Sequence, residues 1–180
     1  MFPRLAAVLA LVGSLAGSTA SAAGGDVPPV VQTVRPARLV VPSIGVDAPI
    51  VEVGLKPDGA MDSPHGPDPV GWYSFSPTPG NPGNAVFSGH RDWYTGVAGV
   101  FWRLGELGEG SGLTVVLEDG TSLSYVVGLS ALIGPDEVPV DEVVGQTRDE
   151  MITLITCEGS FDPGSHDYDK RRVIRAGRSP

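Results

Sequence analysis

A single cysteine, Cys157, ends the apolar run "MITLITC" in a chain of 180 residues. The thiolate is the nucleophilic form of this residue, and a free thiol with a pKa of about 8.5 is mostly protonated at neutral pH. Nucleophilic chemistry at Cys157 therefore requires a base or a cation beside the sulfur. A lone cysteine cannot form an intrachain disulfide, and in an exported protein it favours a chemical use.

Three histidines could supply the base, and they stand in different surroundings. His90 ends the apolar run "AVFSGH", whereas His65 lies in a proline-rich segment and His166 in the segment after the cysteine. The end of a strand holds a side chain more firmly than a loop does. His90 is therefore the preferred partner, and we expect His65 and His166 to be solvated surface residues.

The segment "KRRVIRA" after the cysteine contains Arg171, Arg172 and Arg175. Attack of a thiolate on a carbonyl creates an oxyanion, and one fixed donor can stabilise it by about 3 kcal/mol. If "RRVIRA" is a strand, alternation places Arg171 and Arg172 on opposite faces, and only one face meets the site. An arginine on the other face would be a solvated residue at a strand edge.

The elements that must position these groups read as short strands. The chain contains 25 Gly and 17 Pro, so it turns often between apolar runs, which is typical of an all-β fold. The best-defined unit is a hairpin in "LTVVLEDGTSLSYVVG", with its turn at Asp119-Gly120. Other strands are predicted at Leu39–Val41, Pro49–Val53, Ala85–His90, "MITLITC" and "RRVIRA". In all, about eight strands form a closed barrel or a sandwich.

Three segments are predicted to lack strands. Residues 62–84 are rich in proline and are expected to form a long surface loop, and residues 158–170 a loop between the last two strands. In 99–107, Phe101, Leu104 and Leu107 have helical spacing, which predicts a short helix or turn.

The N-terminus has the pattern of an export signal. Arg4 is followed by the apolar run Leu5–Ala16 and by small residues, so residues 1–23 are predicted to be a signal peptide or an uncleaved signal-anchor. Residues 24–36 are a predicted flexible linker, and 37–180 form the domain. We expect the protein at the extracellular face of the cell membrane or in the cell wall. The net charge of −9 argues against binding nucleic acid through its phosphates.

The motifs resemble those of the sortases, the cysteine transpeptidases of Gram-positive cell surfaces. "TLITC", "KRRVIRA" and "FSGHRD" match the family's cysteine, arginine and histidine motifs in order. "VPSIGVDAPIVEVGLKPDGAM" and "GVFWRLGELGEGSGLTVVLEDG" are similar to the actinobacterial class F, with class E as a near neighbour. The resemblance runs from about Arg38 to Ala176 and implies an eight-stranded β-barrel with short helical insertions.

The resemblance also implies roles. Cys157 would form a thioacyl enzyme, and His90 would protonate the leaving amine and deprotonate the incoming one. The family arginine, counted back from the closing alanine, matches Arg171, or Arg172 if the register slips. Thr156 would line the substrate groove. The expected reaction cuts an LPxTG-like sorting signal after its threonine and transfers the protein to an amine of a cell-wall precursor or pilin. We expect the site in the water-poor barrel interior, without cofactor or metal.

Two other functions compete with this one. An L,D-transpeptidase also uses an exported cysteine, but its S-H-G-C signature is replaced here by T-C-E-G. A non-enzymatic β-barrel binding module of the cell surface would require Cys157 to be inert and buried. A calcium site at Asp58, Asp62 and Asp68 is less favoured than surface carboxylates, since their spacing matches no EF-hand loop.

Overall fold

The computed structural model describes residues 31–94, 96–134 and 143–179, so the predicted leader and residues 24–30 of the predicted linker lie outside the described residues. Within these ranges there are eight strands: β1 (Pro36–Val41), β2 (Val46–Val53), β3 (Val70–Tyr73), β4 (Gly83–Ser88), β5 (Gly112–Leu117), β6 (Ser122–Ile133), β7 (Glu150–Asp162) and β8 (Asp167–Arg178). They close into a barrel in the order β1-β2-β3-β4-β7-β8-β6-β5. The predicted eight-stranded β-barrel is confirmed.

The hairpin predicted around Asp119-Gly120 joins β5 to β6. The two strands are antiparallel, with Leu113 opposite Tyr125 and Val115 opposite Leu123. Gly120 has a φ of 84°, a value that glycine adopts without the steric penalty of a Cβ. The local signal therefore identified this turn correctly.

The prediction of a long loop over residues 62–84 is wrong, because strand β3 lies in its middle. All four residues of β3 are buried, and the strand pairs in parallel with β2, Ile50 opposite Val70 and Val53 opposite Tyr73. The prolines flank "VGWY" without interrupting it. Burial of this short apolar run between β2 and β4 therefore decides its conformation.

The loop predicted over residues 158–170 is also largely wrong. β7 and β8 continue through it as one long hairpin, with Glu158 opposite Lys170 and Asp162 opposite Asp167. A turn of four residues, 163–166, connects the strands. Gly159 lies at a shift in strand register between Glu158 and Phe161, and Pro163 and Gly164 lie in the turn.

The helical segments are short. The pattern in residues 99–107 produces a single 3-10 turn at Leu104–Glu106, and another 3-10 turn occupies Pro42–Ile44. Phe101, Leu104 and Leu107 are all buried in the core. Their predicted inward face is therefore present, although the segment is not an α-helix.

The core lies inside the barrel, and alternation along the strands determines which side chains reach it. On β7 the core contains Ile152 and Leu154, and on β8 it contains Ile174 and Ala176. Because successive side chains point to opposite faces, Cys157 on β7 belongs to the outer face of the barrel wall. Among the described residues there is no helix with the length and hydropathy needed to cross a membrane.

Candidate active site

A cavity of about 1130 Å³ lies against the wall formed by β4, β7 and β8. Cys157, His90 and Arg171 all line it. Three residues that are far apart in the sequence thus meet at one surface, each delivered by a different element. A cavity of this size can hold a short extended peptide.

The pairing of β4 with β7 brings His90 beside Cys157. These strands are parallel, with Ser88 opposite Ile155, so His90 and Cys157 each stand two residues beyond a paired position. Two hydrogen bonds extend the contact: the Gly89 N–H donates to the Ile155 carbonyl at 3.2 Å, and the Thr156 hydroxyl donates to the Gly89 carbonyl at 2.8 Å. The imidazole is therefore fixed by the end of a paired strand.

Glycine is required at position 89 for a steric reason. A Cβ there would lie 2.6 Å from the Phe101 ring and 2.7 Å from Val100. Both distances are shorter than van der Waals contact. The segment bearing Val100 and Phe101 therefore packs directly on the backbone that precedes His90.

The pairing of β7 with β8 places Arg171 directly opposite Cys157. Arg172 lies on the other face, where it forms a two-pronged ion pair with Glu158 at 2.9 Å for each bond. The side chains of that pair are only 16% and 19% exposed. Of the two arginines that sequence reasoning left open, Arg171 is the one that lines the cavity.

Arg171 is held by acceptors near the start of its own strand, β8. Its Nη1 donates to the carbonyls of Tyr168 at 2.7 Å and Lys170 at 3.0 Å. Its Nη2 donates to both carboxylate oxygens of Asp167, at 2.9 and 2.7 Å. The guanidinium is therefore anchored at the first residues of β8.

The thiol is mainly protonated in this environment. Burial raises the pKa of Cys157, the charge of Arg171 opposes that rise, and the carboxylates of Asp167 and Asp92 add to it. A raised pKa means a smaller thiolate fraction at neutral pH than in a free cysteine. The site must therefore gain the thiolate by proton transfer to a base.

His90 is oriented by a backbone carbonyl. Its Nε2 lies 2.8 Å from the Pro64 oxygen, and because a carbonyl only accepts, Nε2 must carry the proton. The ring also stands edge-on to Trp93, with centroids 4.9 Å apart. Nδ1 is therefore the nitrogen through which the neutral imidazole accepts a proton.

The expectation that the site lies in the barrel interior is wrong. Ile152 and Leu154 fill the interior, and alternation turns Cys157 the other way. Cys157 is intermediate in exposure, and it lines the cavity on the outer wall.

Thr156 and the other two histidines have distinct positions. Thr156 is buried, and its hydroxyl is engaged by the Gly89 carbonyl. His166 is exposed and lines the same cavity. His65 is exposed too, with its ring 5.7 Å from that of Trp93.

Several cavity residues were missed by sequence reasoning. The Tyr73 hydroxyl lies 2.7 Å from the Asp62 carbonyl oxygen and 2.9 Å from the Ser88 hydroxyl. Asp92 accepts a hydrogen bond from the Tyr168 hydroxyl at 2.7 Å. Tyr73 lies in the segment that was predicted to be a loop. For Asp92, the one feature of the sequence that could have identified it is its place two residues after His90.

The acidic residues considered for calcium act locally. In the parts of the chain that the structure describes, no three His, Cys, Asp or Glu side chains are grouped as a metal site would require. The Asp58 carboxylate accepts from the Ala60 N–H at 3.0 Å, and that of Asp62 from the Ser63 N–H at 2.9 Å. Such bonds are typical of turn-forming aspartates.

An eight-stranded barrel with a thiol, an imidazole and a guanidinium around one wall cavity defines a protein with the apparatus for cysteine chemistry on an extended substrate. The family model described as "Sortase domain" matches residues 39–179. The chain therefore belongs to the sortase family.

Named relatives agree with this assignment. Sortase D of Bacillus subtilis (strain 168) is 32% identical over 119 residues, covering 66% of this chain and 52% of that protein. The chain thus spans about half the length of this curated relative. A crystal structure of sortase C-1 from Actinomyces oris is 26% identical, with a TM-score of 0.62 over 80% of this chain and 73% of that one. Sortase A from Corynebacterium diphtheriae, a lid mutant, shares the fold at 21% identity, with a TM-score of 0.63 over 81% and 70%.

Proposed function

We propose that this protein is a cysteine transpeptidase that cleaves an LPxTG-like sorting signal after its threonine and transfers the protein to an amine acceptor. The observation that carries the proposal is the meeting of Cys157, His90 and Arg171 in one cavity. Membership of the sortase family supports the same reaction. Hydrolysis would result if water replaced the amine.

The reaction begins with the thiolate of Cys157 attacking the threonine carbonyl carbon. The carbon–sulfur bond forms, the carbonyl oxygen becomes an oxyanion, and Arg171 stabilises its charge. As the carbon–nitrogen bond breaks, His90 gives a proton to the departing glycine amine. The product of this half is a thioester on Cys157.

The second half reverses these roles. An acceptor amine attacks the thioester carbonyl, His90 takes its proton, and sulfur leaves as the new amide forms. Because burial raises the pKa of Cys157, the thiol proton must pass to a base before the sulfur attacks.

The finer assignments follow the sequence motifs. Class F, with class E as near neighbour, rests on the two long stretches between Val41 and Gly120. The partners would be proteins bearing LPxTG-type signals and an amine of a cell-wall precursor or pilin. Export by residues 1–23, with a possible membrane tether, would place the enzyme at the outer face of the membrane or in the wall. Thr156 would contribute to the substrate groove through its backbone, since its hydroxyl bonds Gly89.

The decisive experiment is intact-mass spectrometry of the protein mixed with LPxTG-type peptides. The expected result is a mass increase equal to the peptide acyl group, located on Cys157, and its loss when an amine is added. Cys157→Ala should form no adduct while retaining its circular dichroism spectrum. An adduct in Cys157→Ala, or none in the wild type across a panel of sorting peptides, would contradict the proposal.

Histidine variants provide the matched controls for this experiment. His90→Ala should form adduct far more slowly than the wild type, because general acid–base catalysis contributes about 10²–10⁴ in rate. His65→Ala should remain close to wild type, and so should His166→Asn, since asparagine tolerates the φ of 55° at that position. Equal loss in all three would show that the effect is not specific to proton transfer by His90.

A further inference from the structure

The terminal N–H groups of Arg171 are already hydrogen-bonded within the protein, whereas a residue that stabilises an oxyanion must have a donor to offer it. An arginine carries five N–H groups, four of them on its two terminal nitrogens. Here Nη1 faces the carbonyls of Tyr168 and Lys170, and Nη2 faces both oxygens of Asp167. A substrate oxyanion can therefore receive an Nη donor only if one of these acceptors gives way.

Asp167 is the acceptor that can move. The two carbonyls belong to the backbone of β8, which pairs with β7 at this level. The Asp167 side chain is 51% exposed, whereas that of Arg171 is 25% exposed. Oδ1 of Asp167 also accepts from the Tyr168 N–H at 2.8 Å. Exchanging the carboxylate for another anion therefore gives up that bond or the half-exposed ion pair, and such a pair contributes little to stability.

Asp167 also acts on the thiol through its charge. The charged and titratable groups that line the cavity with Cys157 are His166, Asp167, Tyr168 and Arg171 on the β7–β8 hairpin, His90, Arg91, Asp92 and Tyr94 after β4, and Lys56 and Tyr73. The two arginines favour the thiolate, and the two aspartates oppose it. Removal of one carboxylate therefore favours the thiolate, because the charges of the arginines are then less opposed.

We infer that Asp167 is a positioning residue: it holds the Arg171 guanidinium at the start of β8 and shields the Cys157 thiol from the charge of that guanidinium. The Nη2 donors of Arg171 become available to an anion at the sulfur when Asp167 releases them. That this release accompanies acylation rests on the proposed function. The shielding itself does not, because it concerns only the ionisation of the thiol.

The test measures ionisation directly. Cys157 is the only cysteine in the chain, so alkylation of the full-length protein by iodoacetamide, followed by intact mass, reports on one thiol. Rate constants are measured from roughly pH 6 to pH 10, a range that brackets thiol titration. In Asp167→Asn, which keeps the shape but loses the charge, the titration curve should move to lower pH, and alkylation near neutral pH should be about threefold faster or more.

The control is Asp169→Asn, which loses the same charge on the same hairpin. Its carboxylate accepts from the Ser160 N–H at 2.7 Å, a bond that the amide oxygen can keep. Asp169→Asn should reproduce the wild-type curve, and Asp167→Glu should restore it. Asp167→Ser provides a second variant that removes the charge. If the alkylation curves of both Asp167→Asn and Asp167→Ser coincide with the wild-type curve, the inference is overturned, whatever the peptide assay shows.

Discussion

At the scale of single residues, Arg171 and Arg172 are chemically identical neighbours with opposite surroundings. Arg171 pairs in register with Cys157 and lines the cavity. Arg172 points to the other face, where it holds Glu158. Alternation along β8 therefore places Arg171 in the site and Arg172 in a stabilising ion pair on the opposite face.

This contrast predicts different losses on substitution. Arg171→Ala should lower peptide turnover by about 10²–10³, the effect of removing one oxyanion donor. Arg172→Ala should leave turnover per folded molecule close to wild type. It should lower the free energy of unfolding by about 2 kcal/mol, because the partly buried carboxylate of Glu158 loses its partner. Steady-state kinetics and urea unfolding measure the two quantities.

The stability loss in Arg172→Ala also has a pH dependence. Hydrogen bonding to Arg172 lowers the pKa of Glu158, so the pair stabilises the fold above the ordinary glutamate pKa of about 4.3. That contribution disappears as pH falls through the lowered value. The stability gap between variant and wild type should therefore be full at neutral pH and shrink in acid. A gap that widens in acid, or a turnover loss larger in Arg172→Ala than in Arg171→Ala, would reverse the assignment of the two residues.

At the scale of elements, the tight β7–β8 turn sets the position of Arg171. His166 ends this turn with a φ of 55°, and it is the one non-glycine residue with positive φ among those described. The left-handed region is costly for side chains with a Cβ and most costly for β-branched ones. The turn is therefore sensitive to which residue occupies position 166.

A substitution at this turn tests that sensitivity. His166→Val should lower the free energy of unfolding by about 1 kcal/mol or more, whereas His166→Asn should be nearly neutral, since asparagine tolerates this conformation. Lys170→Val, on the exposed face of β8, is the matched control, because valine favours a strand. Thermal unfolding followed by circular dichroism measures all three. Equal melting temperatures for the Val and Asn variants at position 166 would exclude backbone strain there.

The sequence predicted elements whose signals are local and missed those whose signals are not. Asp119-Gly120 specifies a turn by itself, so the β5–β6 hairpin was found. β3 depends on burial between β2 and β4, which no window around Trp72 reveals. Cys157 lies on the opposite face of "MITLITC" from Ile152 and Leu154, yet the site was expected in the barrel interior, because the sequence does not show which of the two faces meets the core. The site residues Cys157 and His90 could be selected by type, whereas the partners of Arg171 required the turn geometry.

At the scale of the whole molecule, the barrel is closed by the pairing of β1 with β5, and the residues before β1 reinforce this closure. The Gln32 N–H donates to the Asn81 side chain at 2.7 Å, and the Asn81 amide donates back to the Gln32 carbonyl at 2.7 Å. The Glu118 N–H donates to the Arg35 carbonyl at 2.9 Å. The end of the predicted linker is thus bonded to the barrel.

These bonds predict that the position at which a shortened chain begins affects stability. A chain starting at Pro36 should unfold with a free energy lower by about 1–3 kcal/mol than one starting at Val31, since each such hydrogen bond contributes about 1 kcal/mol net. For a domain of this size the melting temperature should fall by roughly 2–4 °C for each kcal/mol lost. Asn81→Ala in the longer chain removes both reciprocal bonds and should reproduce much of the loss. Identical melting curves for the two chains would mean that residues 31–35 behave as a linker without a structural role.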